Sequence, residues 1–212
     1  MIEIKHYNTT KLYTNTYIII DDDVAAIVDP GNKNEEIDEF IESFGKDKFK
    51  YILLTHGHFD HITAAERYRK MTGASICISE AGKDFLTDNS LNLSYKNGRH
   101  LIEPFYADIL LNDNDILEFG RDSEIKAIYT PGHTISDMCF IIDNCMFSGD
   151  LLFKGSVGRT DLPTSDDKKM EESIRKVMGL DDGLKVYPGH GEFTSIGKER
   201  TENLYCQRVS QK

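Results

Sequence analysis

An α/β fold of layered sheets covered by helices is what this 212-residue chain predicts, and three observations carry the prediction. Short β-rich runs recur in both halves, and helical patterns with start and stop signals are interposed among them. No linker or short-period repeat divides the chain, and its length suits one well-filled domain, so residues 1–212 read as a single unit.

Taken in order, residues 2–7 and 16–20 read as strands. Asp21-Asp22-Asp23 makes a turn, and residues 24–28 form a strand stopped by Asp29-Pro30-Gly31. Ile37, Phe40, Ile41 and Phe44 stand at helical spacing within residues 34–44, and Gly45 ends that run. Residues 51–54 are continuously apolar, as a strand buried on both faces requires. A helix over 62–71 capped by Gly73, a strand at 75–78 and a helix at 80–86 follow. Residues 88–111 are rich in Asn and Tyr and lack periodicity, which predicts a functional loop or a weakly structured segment. Strands are then expected at 116–119, 125–129, 138–142 and 145–148, a helix around 170–178 and a strand at 184–187.

The charge balance narrows the partners. Lys and Arg number 25 against 36 Asp and Glu, a net charge of -11, which repels phosphate backbones; neither nucleic acid nor an anionic membrane is an expected partner. No apolar run approaches the ~20 residues of a membrane span, and the N-terminus has no basic-then-apolar leader. Cys77, Cys139, Cys145 and Cys206 form no C-x-x-C pair and sit in or beside apolar runs, so they read as buried free thiols of a reducing interior. The expectation is a soluble, cytoplasmic protein.

Histidine placement carries the chemistry. Five of the seven histidines fall in three short motifs, each after an apolar strand-like run. They are His56-Gly57-His58-Phe59-Asp60-His61, Pro131-Gly132-His133-Thr134 and Pro188-Gly189-His190-Gly191. Loops at strand ends sharing one edge of a sheet are a standard means of gathering distant ligands. Burying such a cluster without a cation leaves several polar groups unmet, so it reads as a metal site. Asp150, ending the strand-like run 145–150 after Gly149, is the natural bridging carboxylate. His56, His58, Asp60, His61, His133, Asp150 and His190 are too many donors for one tetrahedral ion but suit two divalent ions sharing a carboxylate and a water. Zinc is the leading expectation, and the same thiolate-free donors accept iron or manganese. His6 and His100 stand outside the pattern and receive no role.

These motifs, with Asp29-Pro30-Gly31, Ser148-Gly149-Asp150 and Gly158-Arg159-Thr160-Asp161, resemble the metallo-β-lactamase superfamily in order and across almost the whole chain. The resemblance implies an αββα sandwich: two packed mixed sheets covered by helices, with the metals at one edge. It places His56, His58 and His133 on a first metal, Asp60, His61 and His190 on a second, Asp150 between them, and Asp29 behind them as a support. Asn92-Leu93-Ser94 and residues 151–163 look most like the small glyoxalase II-like hydrolases. That branch implies a small-molecule hydroxyacyl thioester as substrate, a metal-bridging hydroxide as nucleophile, and Asp60 both ligating and orienting it.

The sequence departs from that branch in two places. Ile135-Ser136-Asp137 replaces Pro-Gly-Ser after His133-Thr134, and only 18 residues follow Thr194, where full-length glyoxalase II enzymes carry a helical extension that grips glutathione. The thiol carrier is therefore left open, as is the oligomeric state. Arg159 and Asp161 are expected to pair locally, and Tyr95, Arg99 and Tyr106 are candidates to face the cleft. Rival readings are a mono-iron persulfide dioxygenase using His56, His133 and Asp150, a lactonase, and a non-catalytic metal-binding module. An RNA-processing nuclease is disfavoured by the charge.

Overall fold

In the computed structural model, which describes residues 1–97 and 101–210, each half of the chain supplies one six-stranded sheet. The first half contributes strands β1 (Glu3–Asn8), β2 (Asn15–Asp21) and β3 (Val24–Val28), helix α1 (Glu35–Phe44) and strand β4 (Phe49–Leu53). Helices α2 (Phe59–Ile62) and α3 (Ala65–Thr72) follow, then β5 (Ser75–Ser79) and β6 (Ile109–Leu111). Its sheet runs β1-β2-β3-β4-β5-β6, antiparallel as far as β3 and parallel beyond it.

The second half contributes β7 (Ile116–Glu118), β8 (Glu124–Tyr129), β9 (Met138–Ile142), β10 (Cys145–Gly149) and a small hairpin of β11 (Leu152–Phe153) and β12 (Ser156–Val157). Helix α4 (Asp167–Met178), strands β13 (Lys185–Pro188) and β14 (Thr194–Ser195), and helices α5 (Ile196–Glu202) and α6 (Leu204–Ser210) complete it. This sheet runs β14-β13-β10-β9-β8-β7, antiparallel except for the parallel β10–β13 pair.

Strand alternation builds the layers. On β2, β4 and β5, Tyr17, Ile19, Leu53 and Cys77 turn to a core between the sheets, while Ile18, Ile52, Ile76 and Ile78 turn to a core under the helices of the first half. The second sheet does the same: Ile125, Ala127, Met138, Phe140 and Phe147 face inward, and Ile128, Cys139 and Met146 meet α4, α5 and α6. Successive side chains point to opposite faces of a sheet, so a strand buried on both faces reads as an unbroken apolar run and yields an αββα sandwich. Helix α1 starts as its sequence signals: the Asn34 side chain accepts from Ile37 N, and Glu35, Glu36 and Asp38 lie in the first turn.

Two local expectations need correction. The helix expected over 62–71 is split in two, because Ala64 N donates to Pro30 O at 2.9 Å instead of continuing a helical ladder. Residues 80–86 form a 3-10 helix. The segment 88–111 is irregular yet tied down: Asn89 Oδ1 accepts from Ser94 Oγ and Ile102 N, and the segment ends in β6. The hairpin β11–β12, the strand β14 and the helices α5 and α6 were not legible in the pattern.

Candidate metal centre

Strands β8, β10 and β13 run in the same direction, so their C-terminal ends share one edge of the second sheet. Directly beyond those ends stand His133, Asp150 and His190. The turn after β4 faces them from the first sheet, and Met138 N donating to Thr55 O (2.8 Å) ties the two sheets together at this edge. That turn carries His56 and His58 and runs into α2, which bears Asp60 and His61. Gly57 is required between the first two imidazoles: a Cβ there would lie 2.2 Å from Phe85 Cβ. Gly189 is required as well, because its Cβ would meet Asp150 Oδ1 at 2.3 Å.

All seven sequence-predicted donors are brought together, two triads can be drawn among them, and His56 and His61 also form a group with Asp29 across the two. One ligating atom from each of His56, His58 and His133 lies within 4.8 Å of the others, as do those of Asp60, His61 and His190. His133 Nε2 stands 3.0 Å from His58 Nδ1, and His61 Nε2 stands 3.3 Å from His190 Nε2. Asp150 reaches both sets, with Oδ2 3.6 Å from His133 Nε2 and 3.6 Å from His190 Nε2, and Oδ1 3.5 Å from His61 Nε2. Apart from His190 and Asp150, which reach the rim, these residues are buried.

The ring nitrogens facing away are anchored. His61 Nδ1 donates to Asp29 Oδ2 (2.9 Å), His133 Nδ1 to Arg159 O (2.8 Å) and His190 Nδ1 to Leu12 O (3.1 Å), while His56 Nδ1 lies 3.2 Å from Thr55 Oγ1. A proton fixed on Nδ1 leaves the Nε2 lone pair to point inward, as a metal ligand requires. His56 Nε2, fully buried, has no hydrogen-bond partner among the described residues, and neither has Asp150 Oδ1. A buried lone pair without a donor is costly, and converging lone pairs and carboxylates are relieved by a proton or by a metal ion. The residues therefore fit the metal ions that their chemistry implies.

The local field agrees. Burial and the neighbouring imidazoles hold His56 well below the ordinary histidine range, so it stays a neutral donor. Burial disfavours charge on His61, yet Asp60, Asp150 and Asp29 overcome it and push His61 up to about 10. Burial would raise Asp60, but His61 and His190 outweigh it and hold that carboxyl well below the usual range. Carboxylates that draw a proton onto a buried imidazole favour a metal cation in its place.

Around this centre, Asp29 accepts from Thr55 N (2.8 Å) and Thr55 Oγ1 (2.6 Å) as well as from His61, at a positive φ of 49°. The departure at 135–137 supplies its own contacts: Ser136 Oγ accepts from Gly57 N, and Asp137 accepts from Thr134 N and Oγ1. Arg159 pairs with Asp161 through two hydrogen bonds, as expected. Tyr95 is half exposed, and Tyr106 lines a surface depression with Lys83, Asp84, Thr87 and Leu110, which includes none of the donors. Arg99 lies outside the described residues. Sequence reasoning missed Thr14, whose Oγ1 donates to Asp60 Oδ2 (3.3 Å), and Leu12, which acts through its backbone carbonyl.

Comparison with known proteins places this geometry in context. A family model described as "Metallo-beta-lactamase superfamily" matches residues 9–190. Hydroxyacylglutathione hydrolase GloC of Haemophilus influenzae is 36% identical over 207 residues, 95% of this chain and 96% of that protein. Among solved structures, BLEG-1 B3 metallo-beta-lactamase superposes with a TM-score of 0.89 at 32% identity, covering 96% of this chain and 99% of the other. TTHA1623 in a di-iron-bound form superposes with a TM-score of 0.83 at 28% identity, covering 95% and 99%.

Proposed function

The chain belongs to the metallo-beta-lactamase superfamily, and on that footing we propose that it hydrolyses hydroxyacyl thioesters at two cations, one held by His56, His58 and His133 and the other by Asp60, His61 and His190, with Asp150 shared. The observation that carries the reading is the double donor set joined by one carboxylate. The likeness to GloC along the full chain supports the thioester.

A bound cation pair supplies Lewis acidity toward a carbonyl oxygen and lowers the pKa of a water toward ~7. The chain's own residues do the rest. Asp60, kept ionised by His61 and His190, accepts a hydrogen bond from the attacking water and orients it. Thr14 Oγ1 fixes that carboxylate from behind. An alkyl thiol has a pKa of ~8.5, so the leaving thiolate needs no protonation by an acid group of the protein. No cysteine competes as nucleophile, since all four thiols are buried, and burial pushes Cys77, Cys139 and Cys206 up to about 12.

Zinc is the proposed metal, with iron the alternative that the di-iron TTHA1623 structure favours. Among the described residues no helix is long and apolar enough to cross a membrane. The four buried free thiols favour a reducing compartment, and we place the protein in the cytoplasm. The likeness to BLEG-1 favours β-lactam hydrolysis as a second reading.

Elemental analysis of the purified chain, paired with a panel of glutathione and other thioesters, lactones and a β-lactam, tests the proposal. Two divalent ions per chain and thioester turnover abolished by chelation are expected. One iron per chain with oxygen uptake on a persulfide, or turnover of the β-lactam alone, refutes it.

A further inference from the structure

His190 differs from the other donors in its support. It stands in an irregular turn after β13, at the rim, and is one-quarter exposed by side chain. What holds that turn is the β1–β2 hairpin, and most of the grip comes from Asn15. Asn15 is buried, at 2% exposure. Its backbone N donates to Gly189 O (2.7 Å), and its side-chain Nδ2 donates both protons, to Pro188 O (2.9 Å) and Gly191 O (3.0 Å). Three carbonyls of the turn, two before His190 and one after it, therefore end on one residue.

The amide can do this in only one orientation, and His6 selects it. His6 Nε2 lies 2.8 Å from Asn15 Oδ1, which is the only polar atom left on that amide and accepts the imidazole proton. The His6 ring is itself clamped, stacked on Tyr17 at 5.4 Å and edge-on to Phe193 at 5.0 Å. Tyr17 Oη adds a second bond to Pro188 O, at 2.7 Å. The neighbouring hairpin residues complete the frame, with Leu12 O accepting from His190 Nδ1 and Thr14 Oγ1 donating to Asp60. The hairpin thus touches two of the three donors assigned to the second cation. None of these contacts reaches His56, His58 or His133.

Resting on the cation-pair reading above, we infer that Asn15, with its amide oriented by His6, is the positioning residue for His190 and sets the affinity of the second cation independently of the first. Asn15 touches neither substrate nor cation. It acts by holding the carbonyls on either side of the ligand, so that the imidazole meets Asp60 and His61 without an ordering cost on binding. This gives a role to a histidine that lies outside every metal-binding motif of the sequence.

The test uses the full chain, stripped with a chelator and titrated with Zn²⁺ by calorimetry and with Co²⁺ by absorption. Wild type is compared with Asn15→Asp, which replaces two donors by an acceptor facing two carbonyls, with His6→Leu, and with His6→Gln, whose amide restores a donor near the Nε2 position. Asn15→Asp is expected to leave the first equivalent unchanged and weaken the second about 10–100-fold, the range for loss of an outer partner. His6→Leu should weaken the same step less, and His6→Gln should recover it. Unchanged binding in Asn15→Asp overturns the assignment, and so does equal weakening of both steps, which a merely structural role would give. Melting of the stripped proteins reports whether each variant folds. Should Asn15→Asp fail to fold, equal second-step affinities in His6→Leu and His6→Gln overturn the assignment by themselves. Wild type binding fewer than two equivalents refutes the cation pair itself, and the assignment with it.

Discussion

Replacing Asp29 by Asn isolates what one carboxylate contributes behind the metal centre. Three donors converge on it: Thr55 N on Oδ1, and Thr55 Oγ1 and His61 Nδ1 on Oδ2, at 2.6–2.9 Å. An asparagine of the same shape offers a single acceptor. If its oxygen keeps the Thr55 backbone N–H, its NH₂ faces His61 Nδ1 and Thr55 Oγ1. The hydroxyl adapts by rotating its own proton away and accepting from that NH₂, while it goes on accepting from His56 Nδ1, 3.2 Å away. The imidazole adapts only by moving its own proton to Nε2, the atom that faces Asp60, Asp150 and His190. The reverse orientation saves His61 and strands a buried backbone donor, at ~1–3 kcal/mol.

The first arrangement is therefore favoured, and its cost falls on the cation. Loss of such a partner weakens metal affinity 10–100-fold, or about 1.4–2.8 kcal/mol. The metal-free fold loses less, ~1–2 kcal/mol, as charge-assisted bonds give way to neutral ones. Stepwise Zn²⁺ titration and melting of the stripped protein measure the two terms, and ¹⁵N shifts of the His61 ring report the tautomer. Wild-type affinities for both equivalents would refute the reasoning.

Three other outcomes follow from single contacts. Asp60→Asn should lower thioester turnover about 10²–10⁴-fold at saturating metal, because a carboxylate that orients the water and holds the second cation is lost while its shape is kept; turnover within a few-fold of wild type refutes the role given to Asp60. Gly57→Ala should cost about 1–3 kcal/mol or more in denaturant unfolding, since its Cβ meets Phe85 Cβ at 2.2 Å; an unchanged midpoint contradicts that contact. Burial pushes Asp137 up from 3.8 to about 6, so the folded state holds its proton more tightly than the unfolded chain. That contribution is full below pH ~4, declines as pH rises and is gone above ~6, a span of roughly 3 kcal/mol, so wild type relative to Asp137→Asn should lose stability over this window in the chelated protein; parallel pH profiles would contradict it.

The donors were legible because their chemistry is crowded into motifs. His56 to His61 lie within two turns of chain, and Pro-Gly before His133 and before His190 marks a strand end that the apolar runs had already located. Both strand-rich halves were legible for a related reason: a strand buried on both faces leaves a continuous apolar stretch, as in residues 51–54. Elements of two residues such as β11 and β14 carry no period, and α5 and α6 follow a start that only the Ser195 cap announces. The split between α2 and α3 was hidden because it depends on the Pro30 carbonyl, over 30 residues away in the chain.

The support behind the donors was less legible, for a physical reason that also explains how the site is built. Asp29 is an acid in a recognisable turn, and its place behind the metals came from resemblance to a family. Leu12 contributes a backbone oxygen, which any residue possesses, and Asn15 and His6 contribute ordinary strand side chains whose partners are backbone carbonyls near residue 190. Nothing in their identity signals a metal. Yet they come from the first sheet, whereas His190 comes from the second, so the pose of that ligand depends on the two sheets being packed. The first donor set crosses the same boundary, since His56 and His58 follow β4 and His133 follows β8. Each proposed cation would therefore be bound across the sandwich, and its binding energy would add to the cohesion of the two halves.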